Sequence, residues 1–261
     1  ANVRIKRICR YTPAKALLMQ LAGWIRTDEK RADCRLIMVY GPEGGSGKTT
    51  TAMGVCNSLV RLNQRVLYMN TGVLQDFGHL FQGCSPISGD FERMMRMGEL
   101  QAEYLMGLCG EDGFSYIKPF SLAAYNFEYT EQKFLRLAQR FSKTGRYDYI
   151  VIDTSSGLSP EKTAMMSACD SVLIVLGQTE ESRYKLEVLQ KNIDITDRDK
   201  FTVICNRYRQ EERNHLPDML AGVFIPLLPL NRGCSARKLE PFDCYNQIAY
   251  GILRGWGGMV K

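Results

Sequence analysis

Two kinds of apolar pattern alternate along the chain. Short continuous apolar runs occupy residues 35–40 (RLIMVY), 65–70 (RVLYMN), 114–117, 149–153, 171–177 (SVLIVLG), 201–206 (FTVICN) and 223–226. Between them lie stretches with apolar residues at helical spacing, near 50–62, 130–142, 159–168, 180–193 and 242–254; in the first, Ala52, Val55, Cys56, Leu59 and Val60 share one face. The runs are too continuous for strands with one wet face. They predict a mostly parallel α/β sheet covered on both sides by helices. Residues 13–25 (PAKALLMQLAGWI) predict a leading helix that the polar TDEKRAD ends. Residues 74–110 give no clean boundaries; Met94, Met95, Met97 and Met106 suggest short helices there, read as core filler rather than as an adaptable partner surface.

With 261 residues, 45% of them apolar, the chain can bury one large core. The expected organisation is a basic leading segment, residues 1–34, followed by one nucleotide-binding domain, residues 35–261. The chain starts at Ala1, which suggests processing or a piece of something longer. The net charge of +6 belongs wholly to residues 1–35, with nine Lys or Arg against three acids. The body is balanced, so nucleic acid, which requires many phosphate contacts on one surface, is not an expected partner. Nine cysteines without a C-x-x-C pair read as free thiols rather than as a metal site. No apolar run reaches the ~18 residues of a membrane span, and the C-terminal QIAYGILRGWGGMVK is too glycine-rich for a membrane-surface helix.

The chemistry sits between the first strand and the helix after it, in residues 39–53 (VYGPEGGSGKTTTAM). Gly44, Gly45 and Gly47 let backbone N–H groups around Ser46 curl about a phosphate chain, and the following helix N-terminus adds positive potential. Lys48 would neutralise β- and γ-phosphate oxygens, and the Thr49 hydroxyl would ligate Mg²⁺. The usual first glycine of such a loop is replaced by Pro42, with Gly41 one residue early.

EGGSGKTT resembles the deviant phosphate-binding motif of the MinD/ParA superfamily of P-loop ATPases, K-G-G-x-G-K-[ST]-[ST], matching at Gly44, Gly45, Gly47, Lys48, Thr49 and Thr50. In that family the opening lysine crosses a dimer interface to the partner's nucleotide. Here Glu43 stands in its place, and a carboxylate at an anionic γ-phosphate is expected to repel it. YIVIDTSSG, residues 149–157, resembles the family's second nucleotide-binding strand and switch loop, with Asp153 where the Mg²⁺-holding carboxylate belongs. The D-x-D pair that supports the site and positions the attacking water aligns with Asn70 and Gly72; Asp76 is the nearest acid that could substitute. VICNR resembles the strand end where Asn206 would read adenine and Arg207 stack on it, and PLNRG places Pro229 in the segment lining the base. The resemblance thus implies ATP and Mg²⁺ as ligands, with Lys48 and Asp153 left to carry residual hydrolysis.

Within the superfamily, three strings resemble the TadZ/CpaE pilus-assembly branch: residues 10–25, 75–81 (QDFGHLF) and 114–120 (FSYIKPF). That likeness implies an ATP-favoured homodimer across the nucleotide, a lost N-terminal receiver-like domain, pilus or secretion machinery as partners, and a cytoplasmic address at a pole or the inner face of the membrane. Peripheral membrane association has no support in the sequence. The rival reading is a hydrolysing ParA- or MinD-type positioning ATPase that binds DNA or membrane. A tyrosine kinase of the superfamily would need the D-x-D pair and a C-terminal tyrosine cluster. An iron–sulfur relative would need cysteines beside the switch loops, and after Asp153 the next is Cys169.

Overall fold

The computed structural model describes residues 34–97, 102–217, 221–227 and 243–254. Each predicted apolar run forms a strand: β1 (Arg35–Tyr40), β2 (Val66–Asn70), β4 (Ser115–Ile117), β5 (Tyr149–Asp153), β6 (Ser171–Leu176), β7 (Phe201–Tyr208) and β8 (Ala221–Pro226). With β3 (Cys109–Glu111) they make one eight-stranded sheet in the order β3-β4-β2-β5-β1-β6-β7-β8. All pairs are parallel except β3–β4 at the edge.

The continuous apolar runs are explained by two cores, one on each face. In β1, Leu36, Met38 and Tyr40 join the first core while Ile37 and Val39 join the second. Helices α3 (Glu131–Ser142), α4 (Pro160–Ala168) and α5 (Glu180–Asn192) cover the first face through Phe134, Phe141, Met165, Met166, Leu186 and Leu189. Helices α1 (Lys48–Arg61) and α6 (Asp243–Arg254) cover the second through Val55, Leu59, Tyr245, Ile248 and Ile252. Three helices start where a hydroxyl satisfies an otherwise unpaired backbone N–H: Thr130 accepts from Lys133, Ser159 from Lys162 and Thr179 from Ser182.

Predicted and observed bounds agree within two residues for these elements. Among the described residues of the indistinct 74–110 region are a helix, α2 (Gly89–Met97), and two 3₁₀ segments, Asp76–Leu80 and Ala102–Leu108. Met106 packs against the first core as filler. The short β3 had no apolar signal, because its Cys-Gly-Glu sequence pairs only along one edge. The predicted helix at 13–25, residues 1–33 of the leading segment and Pro229 lie outside the described residues.

Because β1 lies between β5 and β6, the chain turns one way after β1 to reach β2 and the other way to reach β6. Ligands of open α/β sheets occupy the crevice at such a reversal, beyond the carboxyl ends of the strands. The glycine loop, Asp153, Asn70 and Asn206 all stand at that end.

Candidate functional site

The loop leaving β1 turns through Gly45 and Gly47, both with left-handed backbones (φ 70° and 90°), and enters α1 directly at Lys48. Gly47 has no substitute here. A Cβ at that position would lie 2.2 Å from the Asn206 side-chain nitrogen. That nitrogen donates to the Ser46 carbonyl at 2.7 Å, tying the end of β7 to the loop. The sequence expects Asn206 to read adenine through its amide; one of its two N–H donors is used inside the chain, which leaves the second N–H and the side-chain oxygen to meet a base. Arg207 follows with a left-handed backbone (φ 57°) and an exposed side chain.

Lys48 is buried, and its ammonium donates to the Glu43 carbonyl at 2.8 Å, arching across the loop. Burial lowers its pKa, Asp153 opposes that shift, and the like charge of Lys162 adds to it. Thr49, the proposed Mg²⁺ ligand, donates its hydroxyl to Asp153 Oδ2 at 2.7 Å, so the structure brings the two candidate metal ligands together. Thr50 sits half-buried in the first turn of α1.

Asp153 is 1% exposed. Its Oδ2 also accepts from the Tyr68 hydroxyl at 2.8 Å and from Asn70 Nδ2 at 2.9 Å. Oδ1, by contrast, is buried without a hydrogen-bond partner, as is the Ser46 hydroxyl in the loop. Burial raises the Asp153 pKa, while the donors from Thr49, Tyr68 and Asn70 and the charge of Lys48 pull it back. An unpaired buried carboxylate oxygen beside a threonine hydroxyl suits a hard, oxygen-seeking cation, and Mg²⁺ takes only one or two protein ligands beside phosphate and water. Among the described residues no cluster of three or more His, Cys, Asp or Glu forms a denser metal site. The residues therefore fit a Mg²⁺–nucleotide pair.

Glu43, expected to repel a phosphate, has its carboxylate held by partners within the chain. The Glu43 carboxylate accepts from the Ser182 hydroxyl at 3.0 Å and the Gly177 N–H at 3.2 Å, with Lys185 at 3.6 Å, and all but Lys185 line the cavity beside the loop. It braces the loop against α5. Asn70, where the family's first acid aligns, is a donor to Asp153 and accepts from the Gly72 N–H at 2.8 Å. Asp76 is exposed at the start of its 3₁₀ segment.

Beside the loop, a cavity of about 500 Å³ runs between the ends of β6 and β7, lined by Gly44, Ser46, Gln178, Asn206, Arg209 and Leu227. Its size falls in the range of small-molecule sites. Gln178 shapes it by accepting from the Arg209 N–H at 2.8 Å and donating to the Arg209 carbonyl at 3.3 Å.

Tyr68, Ser182, Gln178 and the ion pair of Lys162 with Glu131 were not singled out from sequence. The period of two that places Tyr68 on the Asn70 face of β2 was the available signal for the first; the others depend on contacts between distant segments.

No family model matches the chain. A Pseudomonas putida protein described as an uncharacterized protein in the gidB 3′ region is 26% identical over 215 residues, spanning 80% of this chain and 77% of its own length. Among solved structures, the cell division ATPase MinD of Pyrococcus furiosus superposes with a TM-score of 0.65 at 17% identity, covering 84% of this chain and 98% of its own. MinD of Pyrococcus horikoshii, solved with Mg-ADP, gives 0.64 at 18% identity over 87% and 98% of the two chains. A ParA family ATPase from Chlorobium tepidum gives 0.64 at 17% identity over 85% and 100%. The chain has the fold of these P-loop ATPases, an α/β architecture built on a mostly parallel eight-stranded sheet.

Proposed function

We propose that this chain binds Mg-ATP, pairs with a second copy across the nucleotide, and hydrolyses it slowly, so that occupancy rather than turnover is its output. One observation carries the reading: the phosphate cradle and the Thr49–Asp153 pair are intact, while the position of the first family acid, Asn70, is spent as a hydrogen-bond donor to Asp153. Gly72 brings no side chain at all. Nothing from β2 is then placed to orient an attacking water.

Within this proposal the glycine loop and the N-terminus of α1 hold the phosphates, Lys48 neutralises them, and Thr49 with the free Oδ1 of Asp153 holds the cation. Mg²⁺ would supply charge neutralisation at the phosphate oxygens. The cavity between β6 and β7, with Asn206 and Arg207 at its side, would take the base. A bound ligand stabilises whichever state prefers it, so slow turnover makes a long-lived paired state.

For the cellular role we propose a scaffold or positioning protein of Tad-type pilus assembly, with pilus or secretion proteins as partners on the cytoplasmic side. What supports this is the likeness of segments 75–81 and 114–120 to that branch, and Gln75 joins the two: it donates to the Asn70 carbonyl at 2.9 Å and accepts from the Phe120 N–H at 3.3 Å. The second reading, a hydrolysing MinD- or ParA-type positioning ATPase, draws on the fold neighbours. Calorimetry of Mg-ATP binding and turnover measured on the same sample, with Glu43→Lys alongside, separates them. Tight binding with negligible turnover is expected; brisk turnover would favour the second reading, and no magnesium-dependent binding would end both.

A further inference from the structure

Beyond the loop after β5 lies a buried cation that the nucleotide reading leaves without a task. Lys162, in the first turn of α4, has a side chain only 5% exposed. Its ammonium donates to the Ser156 carbonyl at 2.7 Å and faces Glu131 Oε1 at 3.2 Å. Glu131 opens α3 and binds the same loop twice more, accepting from the Ser159 hydroxyl at 2.8 Å and the Ser155 hydroxyl at 3.4 Å. An ammonium carries three N–H donors and sheds water at a high cost, so a buried one is kept where it has a fixed anionic or carbonyl partner.

The loop so held stands against the phosphate cradle. A Cβ built on Gly44 would find the Ser156 hydroxyl, 3.9 Å away, as its nearest neighbour. Gly157 then turns the chain with a left-handed backbone (φ 84°). Lys162 therefore holds, through the Ser156 carbonyl, the segment whose hydroxyl stands nearest to Gly44 of the cradle. Its charge reaches Lys48, whose pKa it helps lower. Position 43, meanwhile, supplies no cation, since Glu43 is turned toward α5.

We propose that Lys162 is the cation this chain supplies to its own terminal phosphate: a γ-phosphate competes with Glu131 for the ammonium and draws the Ser156 loop with it. The assignment rests on the nucleotide reading above. It makes the ion pair with Glu131 the resting partner and the third phosphate the displacing one, so ATP is distinguished from ADP within one chain.

The test is calorimetric titration of the full chain with Mg-AMPPNP and with Mg-ADP. Lys162→Met, which keeps the length and apolar stem, is expected to weaken AMPPNP by roughly 10- to 100-fold, the loss of one charge-assisted hydrogen bond, and ADP by less than about threefold. Glu131→Gln removes the competing carboxylate and keeps the lysine, and is expected to raise the preference for AMPPNP over ADP; it decides the matter should Lys162→Met fail to fold. An unchanged AMPPNP-to-ADP ratio in a folded Lys162→Met chain, or an unchanged or lowered ratio in Glu131→Gln, overturns the assignment alone. A wild-type chain that binds neither nucleotide overturns the nucleotide reading and the assignment with it.

Discussion

The Glu43 carboxylate accepts the Ser182 hydroxyl at 3.0 Å, across 139 residues of sequence. This contact makes an apparently hostile acid into a brace between the phosphate loop and α5. Replacing Glu43 by Ala should therefore cost about 1.5–3 kcal/mol of stability, the range for hydrogen bonds to a charged group. Glu43→Lys should cost at least as much, since it sets a second ammonium beside Lys185. Neither should raise turnover, because Asn70 and Gly72 are unchanged. Denaturant melts and phosphate release on the same variants check both halves.

Asp153 should show opposed effects on stability and binding. Asn at this position keeps an acceptor for Thr49, Tyr68 and Asn70 and removes a buried charge whose ionisation burial disfavours. Ligand-free Asp153→Asn is expected to match wild type or exceed it by about 1 kcal/mol, while magnesium-dependent nucleotide binding is lost.

The pH dependence follows with its sign. The folded pKa of Asp153 is raised above the ordinary 3.8, so its contribution to ligand-free stability is complete below 3.8 and is lost as pH rises through the folded value. Wild type should thus lose ground to Asp153→Asn as pH increases across that window, and magnesium-dependent binding should strengthen over the same window. Chemical denaturation of both chains across the pH series, without ligand, measures the first trend.

Asn206 distinguishes anchoring from base reading. If its N–H chiefly holds the Ser46 carbonyl, Asn206→Ala should weaken ATP and GTP by the same factor, about tenfold for one lost buried hydrogen bond. A loss confined to ATP would restore the adenine-reading role. Competition titrations with the two nucleotides give the comparison.

Two glycines of one loop should differ sharply. Gly45→Ala meets no neighbour and pays only for its left-handed backbone, about 1 kcal/mol. Gly47→Ala adds a collision with Asn206 and breaks its bond to Ser46, for about 2–4 kcal/mol and a loss of nucleotide affinity. Thermal melts with and without Mg-ATP rank them.

Much of this could be read in advance where the determinants are local. The strand, glycine turn and helix of residues 35–61 are contiguous, and strands buried on both faces announce themselves as unbroken apolar runs. What escaped was set by distant partners or by weak local preference. The direction of Glu43 is decided by Ser182 and Gly177, and the use of the Asn206 amide by Ser46, 160 residues away. Motif alignment marked Asn70 as a missing acid; it carried no hint that the residue is a donor to Asp153 or that Tyr68 shares the task. The 74–110 stretch mixes 3₁₀ turns with a short helix, neither of which imposes a long period.

The pairing of Asn70 with Asp153 also bears on how this chain could change. Placing an acid at position 70 in a single step would set a carboxylate where Asn70 Nδ2 now lies 2.9 Å from Asp153 Oδ2, and two such groups in a buried setting must share a proton or separate. Tyr68, donating to the same oxygen, would have to shift as well. Introducing an acid pair here would therefore need coordinated replacements rather than one, since the asparagine is tied to its carboxylate neighbour.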